Sequence, residues 1–123
     1  LLAFSCYIWN LEFVKKLIRE IHKLLPDTVI WAGGPEVSYD AVSFLEEMPQ
    51  ADGVMTGEGE RSFLSLLEYY VDGKGKKEEI AGITYRKEDG SIVFLLLIRE
   101  YASEVWSLWR KNCSFFWTKK FLR

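Results

Sequence analysis

Apolar and polar positions alternate along this chain in several distinct rhythms. Leu1 to Tyr7 (LLAFSCY) is a short, nearly continuous apolar run, relieved only by Ser5 and Cys6 near its end; that is the pattern of a strand buried on both faces. From Leu11 to Leu25 the apolar residues stand at 11, 14, 17, 18, 21, 24 and 25, with Lys15, Lys16, Arg19, Glu20 and Lys23 between them. Steps of three and four make one face of an amphipathic helix, which Asn10 can cap and Pro26-Asp27 ends. Thr28 to Ala32 then reads as a second strand, broken by Gly33-Gly34-Pro35. A helix between two strands gives a crossover long enough for parallel pairing.

The rhythm repeats. Asp40 or a neighbour starts a short helix carrying Val42, Phe44, Leu45 and Met48, and Pro49 stops it. Gly53-Val54-Met55-Thr56 predicts a third strand, broken by Gly57-Glu58-Gly59-Glu60, and a second amphipathic helix follows with Phe63, Leu66, Leu67, Tyr70 and Val71 on one side. Strand, helix, strand, helix implies an α/β fold: a flavodoxin-like, Rossmann-like parallel sheet flanked by helices on both faces. Asp72-Gly73-Lys74-Gly75-Lys76-Lys77 interrupts the pattern as a polar linker, and Gly82–Arg86 and Ser91–Phe94 flank Asp89-Gly90 as a C-terminal β-hairpin. The expected organisation is an α/β domain over 1–73, a linker and hairpin connector over 74–98, and a tail over 99–123 in which a helix to about residue 111 fits the spacing of Tyr101, Val105, Leu108 and Trp109. The opening directly inside an apolar strand, without Met, is what a fragment with an incomplete first part of the sheet would show.

Composition narrows the function classes. With 123 residues the chain has room for one domain. Sixteen basic against eighteen acidic residues give a net charge of -2, without a basic block to follow a nucleic-acid backbone. The longest apolar run, Ile92 to Ile98, is far below the roughly 20 residues that span a bilayer. Cys6 and Cys113 are too few and too distant for a disulfide framework or a metal-ligand set, which fits a reducing, cytoplasmic setting.

In a parallel sheet the carboxyl ends of all strands lie along one edge, where ligands bind. The three predicted strands end in Ser5-Cys6-Tyr7, in Gly33-Gly34-Pro35-Glu36 and in Gly57-Glu58-Gly59. This ordered set, over about residues 3 to 94, resembles the cobalamin-binding domain of cobalamin-dependent radical S-adenosylmethionine enzymes, a group that includes the anaerobic magnesium-protoporphyrin IX monomethyl ester oxidative cyclase and methyltransferases. The resemblance implies cobalamin as cofactor, with Ser5 facing its lower nucleotide tail, Gly33 and Gly34 leaving room for that tail, and Gly57, Glu58 and Gly59 closing over the nucleotide end. Cys6, Tyr7, Pro35 and Glu36 belong to the same implied set. It also implies a radical S-adenosylmethionine domain of the parent chain as partner, itself holding a [4Fe-4S] cluster and S-adenosylmethionine, and a homodimer through an open sheet edge is a further expectation.

The departures are as specific. The Asp-x-His-x-x-Gly loop that places a histidine below cobalt is missing, and the only histidine, His22, lies within a lysine-rich helix as a surface or boundary residue. The Cys-x-x-x-Cys-x-x-Cys run that holds an iron–sulfur cluster is missing too, so this chain is not expected to catalyse radical chemistry by itself. Three plainer readings stay open: a tight turn at Gly33-Gly34 without ligand, a doubly wound interaction or regulatory module, and a nucleotide site at Gly57 to Glu60. The last lacks the third glycine of a dinucleotide fingerprint, since Phe63 stands near that place. Glu58 and Glu60 read as first-turn acids rather than a catalytic pair, Cys6 on its own as an inert buried thiol, and Trp31 as core.

Overall fold

The computed structural model describes residues 1–57 and 59–95. Glu58, the expected tail helix, Cys113 and the C-terminal tryptophans lie outside them. Among the described residues a sheet runs in the order β1-β2-β3-β4-β5, from Leu2–Ser5, Ile30–Gly33, Gly53–Met55, Ile83–Arg86 and Ile92–Leu95. β1 pairs with β2 and β2 with β3 in parallel, Ser5 opposite Gly33 and Gly33 opposite Met55. β3 then pairs antiparallel with β4 (Met55 opposite Ile83), and β4 with β5. The hairpin therefore continues the same sheet, its two strands reversing the direction of the first three.

Helices cover both faces, as the alternation of elements predicts. The stripe of α1 (Leu11–Leu24) buries Val14 and Ile18. Together with Val37 of the single turn α2 (Pro35–Ser38) and Phe44 and Leu45 of α3 (Ala41–Glu47), it packs on Ile30, Ala32 and Val54. Strand periodicity sends the alternate residues Trp31, Met55, Ile83 and Tyr85 to the opposite face, where Leu66 and the half-buried Phe63, Tyr69 and Tyr70 of α4 (Gly59–Tyr70) cover them. Trp31 is fully buried, and its ring lies where a side chain on Gly53 would otherwise stand. Full burial of a side chain of this class contributes about 2 kcal/mol or more, so the second core rests heavily on that indole and on Leu66 and Ile83.

Three local features depart from the sequence reading. Among the described residues β1 is an edge strand, with Leu2, Ala3 and Ser5 exposed rather than buried: its composition signals a strand, but burial depends on what lies over it. Asn10 makes no side-chain cap of α1. Instead its Oδ1 accepts from the Tyr7 amide at 2.8 Å and its Nδ2 donates to the Ser5 carbonyl at 2.9 Å, which ties down the loop leaving β1. Residues 35–38 form a helical turn where a plain turn was expected, with Pro35 supplying the preset φ of a first helical position. Asp40 does cap α3, its Oδ1 accepting from the Ser43 amide at 3.2 Å. Asp52 fixes the entry into β2 and β3, its carboxylate accepting from the Ile30 amide at 2.7 Å.

Candidate functional site

All three parallel strands end at one edge, and there the α4 face of β1 is left uncovered by any described helix. The result is a cleft of about 880 Å³ between the strand ends and the first turn of α4. Its floor is formed by Gly33 and Met55, both buried, with the half-buried Ser38 and Phe63. Its rim is exposed: Ser5 and Tyr7 on one side, Tyr39 on another, Gly57 and Glu60 on the third.

Of the residues anticipated from sequence, Ser5, Tyr7, Gly33, Gly34, Pro35, Gly57 and Gly59 come together around this cleft. Cys6 does not. Strand alternation turns it to the other face, fully buried beside Val14 and Ile18, and burial pushes its thiol above the ordinary value despite an opposing backbone hydrogen bond at Gly33. Glu36 is exposed on α2 and does not line the cleft. Glu60, part of the alternative nucleotide site, lines it too, as do Ala3, Phe4, Ser38, Tyr39, Met55 and Phe63, which are not among the anticipated site residues. Met55 and Phe63 had signals, as the last residue of a strand and the first apolar position of the helix after it. Tyr39 had none, because the turn that aims it depends on Gly34.

The two central glycines act differently. Gly34 has φ +103°, a backbone conformation open to glycine, and a Cβ there would overlap the Cys6 carbonyl and stand 2.9 Å from its amide nitrogen. Its missing side chain lets the β1 loop pass, and it does not leave space in the cleft. Gly33 shares the strand face of Ser5 and Met55, and a Cβ there would meet Met55, its Cε at 3.2 Å, its Cβ at 3.6 Å and its carbonyl oxygen at 3.7 Å. Gly57, at φ +77°, and Gly59 both face open space.

The electrostatics of the cleft are spare. None of its described lining residues is Lys, Arg or His, and Glu60 is the only charged one. The backbone N–H groups at the start of α4 remain the means of holding a single phosphate. His22 is in the last turn of α1, which starts at the cleft edge and runs away from it, so this imidazole lies at the opposite end of the sheet. A ligand suited to this cleft is large, mostly neutral and flat enough to lie against glycine.

A family model for the B12 binding domain matches residues 1–67. The chain belongs to the B12-binding domain family. Its relatives include the cobalamin-dependent radical SAM methyltransferase TokK of Streptomyces tokunonensis, 30% identical over 92 residues, which are 75% of this chain and 14% of that protein. The 2-(S-pantetheinyl)-carbapenam-3-carboxylate methyltransferase of Streptantibioticus cattleyicolor is 37% identical over 85 residues, 69% of this chain and 12% of its own length. Among solved structures, the cobalamin-dependent S-adenosylmethionine radical enzyme OxsB with aqua-cobalamin bound superposes with a TM-score of 0.66 at 19% identity, over 83% of this chain and 14% of that one. This likeness shows the fold. The chain thus spans about one seventh of the length of these relatives. The B12-binding domain similarity is to methyltransferases, whereas the cyclase finds no counterpart among these relatives, and a ligand-free interaction module is not favoured. No described helix is long and apolar enough to cross a membrane.

Proposed function

We propose that this chain is the corrinoid-holding part of a radical S-adenosylmethionine methyltransferase, binding cobalamin in the cleft at the strand ends for a catalytic domain elsewhere in the parent protein. The observation that carries the reading is the convergence of Ser5, Gly33 and Gly57 from three separate loops on one cleft with an uncharged floor. Cobalamin is a neutral-amide macrocycle with a single phosphodiester. It fits a site of this size whose described lining offers no cation, whereas a dinucleotide or flavin mononucleotide would bring charge that none of those lining residues compensates.

In this reading Gly33, Met55 and Phe63 receive the nucleotide tail, Ser5 faces it across the β1 edge, and Gly57 and Gly59 bring backbone amides to its phosphate. Cobalamin supplies a cobalt centre able to carry a methyl group. The protein's share is to bind and orient it. Two finer readings go with this. A reducing, cytoplasmic location is supported by the buried free thiol of Cys6, and homodimerisation by the outer edge of β1, which has no strand beside it among the described residues.

The test is direct. The chain is mixed with hydroxocobalamin, desalted, and its visible spectrum read; retained corrinoid in proportion to protein is the expected result. A colourless protein fraction would overturn the proposal. Light scattering on the same sample decides between monomer and dimer.

A further inference from the structure

The floor of the cleft has its polar groups turned inward. Ser38 Oγ donates to the Gly34 carbonyl at 2.7 Å and shares the same proton with the Met55 carbonyl at 3.3 Å. The amides around it are also committed: Cys6 N–H to Gly33 O at 2.7 Å, Ser38 N–H to Gly34 O at 3.1 Å, and Thr56 N–H to Gly82 O at 2.8 Å. What remains toward the cleft from the floor side chains is the Met55 thioether, the Phe63 ring and the bare Cα of Gly33.

From this we infer that the cleft selects among corrinoids by their lower base, favouring an alkylated benzimidazole over a purine. The inference rests on the proposed cobalamin reading and deepens it. Dimethylbenzimidazole presents two methyl groups and one ring nitrogen; adenine presents several ring nitrogens and an exocyclic amine. Methyl groups gain contact with a polarisable thioether and an aromatic ring. A purine loses water from each of its polar edges; the floor groups supply no free donor and the Ser5 hydroxyl at the rim serves one edge at most, so binding weakens by about tenfold for each group left unpaired.

The discriminating experiment is equilibrium dialysis of the full 123-residue chain against aquacobalamin and, separately, against its adenine-based analogue, followed by visible absorbance. Binding at least about tenfold tighter for aquacobalamin is expected. Phe63→Tyr, at a half-buried position that lines the cleft, and Met55→Gln on the floor should each narrow that ratio. Equal affinity for the two corrinoids overturns base selection while leaving cobalamin binding standing. Retention of neither overturns both readings. A ratio unchanged in a folded Phe63→Tyr variant removes the floor from the explanation and overturns the inference as well.

Discussion

Gly34 is packed against the backbone of Cys6 so closely that no Cβ fits between them. Its φ of +103° adds a second reason for glycine. Gly34→Ala should therefore act on the fold, lowering stability by about 2–4 kcal/mol in a denaturant titration through combined strain and backbone displacement. An unfolding midpoint within error of the parent would contradict this packing.

Gly33 offers the contrasting substitution. Its φ is open to other residues, and a Cβ there meets Met55 alone, most closely at the flexible end of its side chain, the Cε at 3.2 Å. Gly33→Val should keep the melting temperature within a few degrees of the parent while reducing cobalamin retention by tenfold or more, on the order expected when a branched side chain fills a fitted surface. Loss of fold without selective loss of binding would place the cleft elsewhere.

The thiol of Cys6 is held protonated by burial, above its ordinary value of 9.0. In the unfolded chain it ionises near that value, so the native state keeps a proton that the unfolded state releases. This contribution is intact below pH 9.0 and is lost as pH rises through the folded-state value. An unfolding midpoint that falls above pH 9, and falls less in Cys6→Ala, is expected. At neutral pH the Cys6 peptide should resist iodoacetamide until denaturant is added, as peptide mapping by mass spectrometry would show.

His22 stands at the far end of α1 from the cleft. His22→Ala should leave both corrinoid retention and the visible spectrum of the bound cofactor unchanged. A shifted spectrum would mean that this imidazole approaches the cobalt, contrary to the fold.

Lys77, at the end of the glycine-rich linker, places its Nζ 5.6, 5.4 and 5.3 Å from the ring centroids of Tyr69, Tyr70 and Tyr85. It clasps α4 to β4. Lys77→Ala should cost roughly 1–2 kcal/mol and speed proteolytic nicking of residues 72–77, whereas Lys77→Arg retains most of the clasp.

The stripe of Val14 and Ile18, the glycine breaks after β2 and β3, and the Asp89-Gly90 turn are local signals, and each produced its element within a residue or two. The pairing of β4 with β3 was not legible, because nothing within Ile83–Arg86 says which edge it joins. Lys77 read as part of a solvated linker, since its three rings come from α4 and β4. The constraint on Gly34 is not legible locally, because its neighbour is Cys6, 28 positions earlier in the chain. Of the candidate site, the loops were readable and the floor was not, because Met55 and Phe63 meet only once α4 has folded over the sheet.

The hydroxyl of Ser38 joins the loop after β2 to the end of β3 through one shared proton. It adds a side-chain tie to two segments whose strands are already paired, Gly33 opposite Met55. Their relative position is settled when the chain folds, so loading a cofactor need not order them, and the entropy of that ordering is not subtracted from affinity. A seryl side chain on the cleft floor thereby adds to the stiffness of the seat in which the ligand rests.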